Sequence, residues 1–274
     1  MSWFELEGRR IYYEIHGKGE PLVLLHHGFG CSKMWQDLYP AFAEKGYRVI
    51  LYDRRGYGRS DEGRGFPDFF VSDRFRPENR EDLAALMGGL GITGFHLIGQ
   101  CEGGVVAVDY ASRYPVHVKS VVISSTQCFS PKPMPEWNVE KFTKSFKESP
   151  PEMQAKFKDW HGPDRAERLY EMFRTNGGAY GTGMFDLRGI LPRVVCPALV
   201  LYPDRSALFD VEQGVAFYRH LPRGELAVLP YCGHNTYEYK PEEYIRISLD
   251  FLQRAVSRKY QEKDPGISAT CCAT

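Results

Sequence analysis

Three stretches of this chain have residue types and spacing suited to acyl chemistry. In "FHLIGQCEGGVV", residues 95–106, an apolar run with strand character enters Gly-Gln-Cys-Glu-Gly and passes directly into a helix-like pattern. A nucleophile held on so tight a turn adopts a strained backbone and needs small residues two before and two after it. Gly99 and Gly103 meet that need, which makes Cys101 the candidate nucleophile, and a helix N-terminus at this point favours a thiolate. In "LLHHGFG", a glycine-containing loop after a buried run can turn the Phe29 N–H toward the same point; with the N–H of Glu102 it makes a two-donor oxyanion hole. In "LPYCGHNTYEYKPEEY", His234 follows a strand end, downstream of the nucleophile, where a general base reaches it.

Other residues of the same types have plainer readings. Cysteine is among the most buried residue types, so Cys31, Cys128, Cys196 and Cys232 read as core thiols. His26 and His27 read as braces for the oxyanion loop, His96 as a core histidine, and Asp53 with the arginines of "DRRGYGRSD" as loop supports. A Glu102 carboxylate beside Cys101 raises the thiol's pKa unless an arginine or histidine compensates, and its side chain is either solvated or turned into a pocket.

The elements that must position these residues follow from periodicity. Residues 4–7 and 10–15 read as two short strands joined by "EGRR", and "PLVLLHHG", "YRVILYD", "FHLIG", "VKSVVISS", "PALVLYP" and "ELAVLP" as further strands. Helical spacing covers 32–44, 78–90, 103–113, 211–220 and about 241–258. Strands alternating with helices predict an α/β fold with a mostly parallel β-sheet covered by helices on both faces. Residues 127–190 interrupt the alternation, rich in Pro, Lys, Phe and Met, and read as an inserted helical lid. The core is then 1–126 with 191–260, and 261–274 is expected to be a disordered tail.

Bulk properties bound the function. With 274 residues the chain buries a sizeable core, and 35 basic against 35 acidic residues give no sign of a nucleic-acid or anionic-membrane partner. No signal peptide or apolar run of membrane-spanning length is visible, so a cytoplasmic protein is expected, its seven scattered cysteines reduced. The terminal "CCAT" places Cys271 as in a prenylation box, but without a preceding polybasic run. No CxxC pair holds zinc, and neither a metal nor a cofactor is implied.

Taken in order, "HGFG", "YDRRGYGRSD", "IGQCEGG" and "GHNTYEYKPEEY" resemble the α/β-hydrolase fold superfamily from about residue 3 to 258, in the lid-containing group of haloperoxidase-like esterases, epoxide hydrolases and thioesterases. The resemblance implies Cys101 as nucleophile, His234 as base and Phe29 and Glu102 as oxyanion donors. It also exposes two departures. Cysteine replaces the usual serine, as in dienelactone hydrolases and polyester synthases. The family's acid position, in the loop after "PALVL", falls on Ser206 in "YPDRSALFD", leaving Asp204, Ser206 and Asp210 as candidate third members, Asp204 favoured.

A thiol paired with imidazole can exist as thiolate and imidazolium and needs mainly an orienting hydrogen bond, which Ser206 can supply. The function expected is cysteine-dependent attack on an ester, thioester or related carbonyl of an apolar or aromatic small molecule. An acyltransferase, condensing enzyme or cyclase on the same machinery is the alternative, and a non-catalytic ligand-binding protein the third reading. Trp137, Phe142, Phe157, Trp160, Met172, Phe173, Tyr180 and Met184 are the lid residues expected to favour apolar substrates.

Overall fold

The computed structural model describes residues 2–256. The expected tail at 261–274, Cys271 with its terminal box, and the last residues of the expected core and final helix lie outside the described residues. Within the described residues eight strands form one sheet: β1 Ser2–Leu6, β2 Arg9–His16, β3 Glu20–Leu25, β4 Tyr47–Tyr52, β5 Phe95–Gln100, β6 Val118–Ser124, β7 Ala198–Pro203 and β8 Gly224–Leu229. Their order is β1-β2-β4-β3-β5-β6-β7-β8. The β1–β2 and β2–β4 pairs are antiparallel and all others parallel. The hairpin between β1 and β2 turns on Glu7 and Gly8 alone, both at positive φ, the geometry that matches strand twist in a two-residue turn.

Among the same residues ten helices join the strands: α1 Tyr39–Glu44, α2 Phe66–Phe70, α3 Phe75–Gly89, α4 Glu102–Arg113, α5 Met134–Lys141, α6 Pro151–His161, α7 Pro163–Asn176, α8 Glu212–His220, α9 Thr236–Tyr239 and α10 Pro241–Val256. The central strands are continuous apolar runs because both faces are covered, and their side chains alternate between two cores. Val23, Ile50, Leu97, Val121 and Val200 pack toward α3, α4 and α8. Leu22, Val49, Ile98, Val122 and Leu199 pack toward α1 and α10.

Two segments depart from the periodicity reading. The helix expected over 32–44 is a 3-10 turn at Ser32–Trp35 followed by α1, because Pro40 lacks an N–H and fits only a first turn. The unassigned stretch after "RRGYGRSD" holds α2, started by Pro67, whose phenylalanines pack with Phe75 of α3. Between β6 and β7 the chain leaves the sheet for α5, α6 and α7, and its two ends meet again at the Phe129–Asp186 bridge. Among the described residues no helix is long and apolar enough to cross a membrane.

Candidate active site

Cys101 stands between β5 and α4 with φ 52° and ψ −115°, a backbone that a side-chain-bearing residue holds only when its surroundings enforce it. The surroundings are specific. The Cys101 N–H donates to Ser124 O at 2.8 Å, and Cys101 O accepts from Gly104 N–H at 2.9 Å and Thr126 Oγ1 at 3.0 Å. A Cβ on Gly99 would strike the Gly103 carbonyl, and one on Gly103 the Leu25 carbonyl, so both flanking glycines are required by close packing.

The thiol is 6 % exposed, and burial pushes its pKa up to about 12, opposed first by the Tyr180 hydroxyl 3.4 Å from Sγ and then reinforced by the Glu102 carboxylate. The backbone N–H of Glu102 and the charge of Arg54 act downward. Burial therefore outweighs the helix N-terminus from which the sequence predicts a thiolate.

His234 is placed by the loop after β8. Gln100, one residue before Cys101, donates its side-chain amide to His234 O at 3.0 Å, and accepts from Thr236 Oγ1 at 3.2 Å, which also meets Ser124 Oγ at 2.8 Å. The strand that ends before Cys101 thus fixes the loop that carries His234. Burial lowers the His234 imidazole to about 4. At neutral pH Cys101 is consequently a thiol and His234 a neutral imidazole, not the preformed thiolate and imidazolium expected from the residue types.

Of the three candidate supports, the structure brings Ser206 to His234, with Oγ 3.2 Å from Nδ1. Ser206 Oγ also accepts the N–H groups of Leu208 at 3.2 Å and Phe209 at 3.1 Å, so it is held firmly. Asp204, the favoured candidate, is elsewhere: its Oδ1 accepts the Cys232 N–H at 2.9 Å, pinning the loop after β7 to the loop after β8. Asp210 accepts the Glu212 N–H at 2.9 Å and caps the start of α8.

The expectation for Phe29 also changes. Its N–H donates to Nδ1 of His27 at 3.1 Å and is not open to the thiol. His26 accepts the Arg54 N–H on Nε2 at 3.1 Å and contacts His27 O at 2.8 Å, so both histidines hold the loop as the sequence suggests. Asp53 does the same for its own loop, accepting from the N–H groups of Ser32 and Arg59 at 2.6 and 2.8 Å.

The Glu102 side chain is neither solvated nor in the cavity: it is fully buried in an ion pair with the buried Arg54, with the Tyr57 hydroxyl 3.4 Å away. Arg54 is the compensating charge that a carboxylate beside the thiol requires.

Above Cys101 and His234 lies a cavity of about 570 Å³ between the sheet and the inserted helices. Trp137, Phe142, Phe157, Phe173, Tyr180 and Phe209 give it an aromatic wall. Phe29 joins that wall by packing at a tilt against Phe173, centroids 4.3 Å and planes 56° apart. Lys156, paired with Glu238 at 2.6 Å, and Arg205 also line it. Met184, expected among these residues, is exposed, and Met172 packs against the core instead. Tyr180, Gln100 and Arg54 are site residues whose roles sequence reasoning missed. Only Gln100 carried a local signal, being adjacent to Cys101.

Residues 20–195 match the family model described as alpha/beta hydrolase fold. A 2-hydroxy-6-oxononadienedioate/2-hydroxy-6-oxononatrienedioate hydrolase of Burkholderia vietnamiensis is 27% identical over 274 aligned positions, covering 89% of this chain and 91% of that one. The Homo sapiens protein named Serine hydrolase BPHL is 27% identical over 259 positions, covering 90% and 84%. Among solved structures, MGS-M2, an alpha/beta hydrolase enzyme from a Medee basin deep-sea metagenome library, superposes with a TM-score of 0.75 at 22% identity, over 92% of this chain and 97% of that one.

Proposed function

The chain belongs to the α/β-hydrolase fold family, and we propose that it hydrolyses an ester, thioester or related carbonyl of an apolar or aromatic small molecule through an acyl intermediate on Cys101. The observation that carries this reading is the strained Cys101 at the floor of an aromatic cavity that His234 also lines, with Ser206 at Nδ1 of that histidine.

The substrate carbonyl enters under α5–α7, which act as the lid. As Sγ attacks the carbonyl carbon, His234 takes the thiol proton and the carbonyl electron pair moves to oxygen, where the Glu102 N–H receives it. Collapse breaks the bond to the leaving group, which departs with the His234 proton. Water, deprotonated by His234, then attacks the thioester carbonyl; the C–S bond breaks, the acid is freed and the Cys101 sulfur takes the proton back from His234. With both groups neutral at rest, charge appears only during attack. Arg54, paired with Glu102, offsets part of the carboxylate's effect on the Cys101 thiol.

The relatives support a carbonyl substrate: the compound named for the Burkholderia vietnamiensis hydrolase carries a 6-oxo group. The human relative's name specifies a serine enzyme, so cysteine chemistry here rests on residue 101 itself. Steady-state turnover of a panel of aryl esters and thioesters by wild type and Cys101→Ala tests the reading. Loss of at least about 10³-fold in kcat is expected, and unchanged turnover in the variant would refute it.

A further inference from the structure

We propose that the Tyr180 hydroxyl is the second donor of the oxyanion hole, in the place the Phe29 amide was expected to fill. The inference rests on the Cys101 reading above and adds a residue from the inserted segment to the chemistry.

Two observations lead to it independently. The first is that the Phe29 N–H is already used. Tyr237 donates its hydroxyl proton to Glu238 Oε1 at 3.0 Å, so its oxygen accepts Nε2–H of His27 at 3.0 Å. That leaves Nδ1 of His27 bare, and it accepts the Phe29 N–H at 3.1 Å. Each member of this chain of bonds is satisfied, and freeing Phe29 would leave Nδ1 of the part-buried His27 without that partner.

The second is that Tyr180 is aimed at the reacting atom. Its hydroxyl is 3.4 Å from Sγ, and its buried ring is held edge-on by Phe185 at 4.9 Å and by Phe209 at 6.1 Å between centroids. Burial, the thiol and Glu102 hold its pKa well above the usual value, against a downward effect of the Gln127 backbone. The group therefore keeps its proton and offers it as a hydrogen bond.

During attack the S–C bond forms, the thiol proton goes to His234 and the carbonyl pair becomes the oxyanion, two bonds from sulfur. The Tyr180 O–H, beside sulfur at rest, turns to donate to that oxygen, joining the Glu102 N–H. When the tetrahedral adduct collapses, the pair returns to carbon, the leaving group takes the His234 proton, and Tyr180 has neither gained nor lost one. A donor preset by packing needs no reorganisation at the moment charge develops.

The test compares wild type, Tyr180→Phe and Cys101→Ala on one aryl ester, reading kcat, KM and the rate of Cys101 acylation by quenched intact-mass analysis. Removing one oxyanion donor should lower kcat and the acylation rate about 10²-fold with KM changed less than about threefold. If Cys101→Ala is inactive while Tyr180→Phe keeps kcat within about threefold, the Tyr180 assignment fails and the Cys101 reading stands. If Cys101→Ala turns over normally, both fail. Should Tyr180→Phe not fold, fluorotyrosines at 180 keep the ring and the O–H: kcat must then track phenol acidity at constant KM, and a flat series overturns the proposal.

Discussion

The pairing of cysteine at 101 with serine at 206 predicts a large non-additivity. With His234 held at about 4, forming its imidazolium at pH 7 costs about 4 kcal/mol, at about 1.36 kcal/mol per tenfold. Ser206 Oγ, 3.2 Å from Nδ1, is a neutral dipole: it orients the ring but supplies no charge to stabilise that cation. A thiol tolerates this because it is far more acidic than an alcohol. Cys101→Ser should therefore lower kcat by about 10³-fold or more, the scale seen when a triad loses its carboxylate.

Ser206→Asp places a carboxylate where Leu208 and Phe209 already donate, able to accept Nδ1–H. The double variant should recover about 10²-fold over Cys101→Ser, whereas Ser206→Asp alone should change the cysteine enzyme by less than about tenfold. The coupling read from the cycle is then on the order of 1.5–3 kcal/mol. Steady-state kcat on one ester at pH 7 for all four proteins is sufficient. Equal factors for Ser206→Asp on both nucleophiles, or a Cys101→Ser enzyme within about tenfold of wild type, would refute the reasoning.

Other consequences are directly measurable. A thiol at about 12 is thiolate in roughly one molecule in 10⁵ at pH 7, so iodoacetamide labelling of Cys101 should rise about tenfold per pH step from 7 to 11; a rate already level at pH 7 would mean a preformed thiolate. The buried imidazoles of His96, His161 and His234 are each held near 4 against 6.5 when unfolded, so the unfolded state binds more protons between those values. Their contribution is full above pH 6.5 and is lost as pH falls toward 4, by about 3 kcal/mol per imidazole, and urea midpoints should drop steeply from pH 7 to 5. Arg54→Ala leaves Glu102 buried without its guanidinium and should cost about 3–5 kcal/mol in the same unfolding assay, with a loss under about 1 kcal/mol counting against the buried pair.

The architecture is legible because its signals are local. Apolar runs between glycine-rich turns give strands such as β3 and β5, and "GQCEG" between a strand and a helix gives the elbow directly. The breaks come where one proline decides a first turn, at Pro40 and Pro67. At the site, ordering along the chain locates Cys101 and His234, but not what faces them across the fold. Asp204 and Ser206 are two residues apart, and only the path of the loop turns one toward Cys232 and the other toward His234. Tyr180 reaches the thiol from an insertion 79 residues downstream, and Arg54 reaches Glu102 from 48 residues upstream, separations over which periodicity carries no information. The pKa directions escape the sequence for the same reason, since depth of burial is a property of the assembled fold.

The most direct test of the central claim is time-resolved intact-mass spectrometry of the wild-type protein quenched during turnover of an aryl ester. The account predicts a mass increase equal to the acyl group, mapped to the peptide containing Cys101, that forms and decays fast enough to support the measured kcat. Full turnover with Cys101 unmodified throughout, or with the acyl group on another residue, would contradict it.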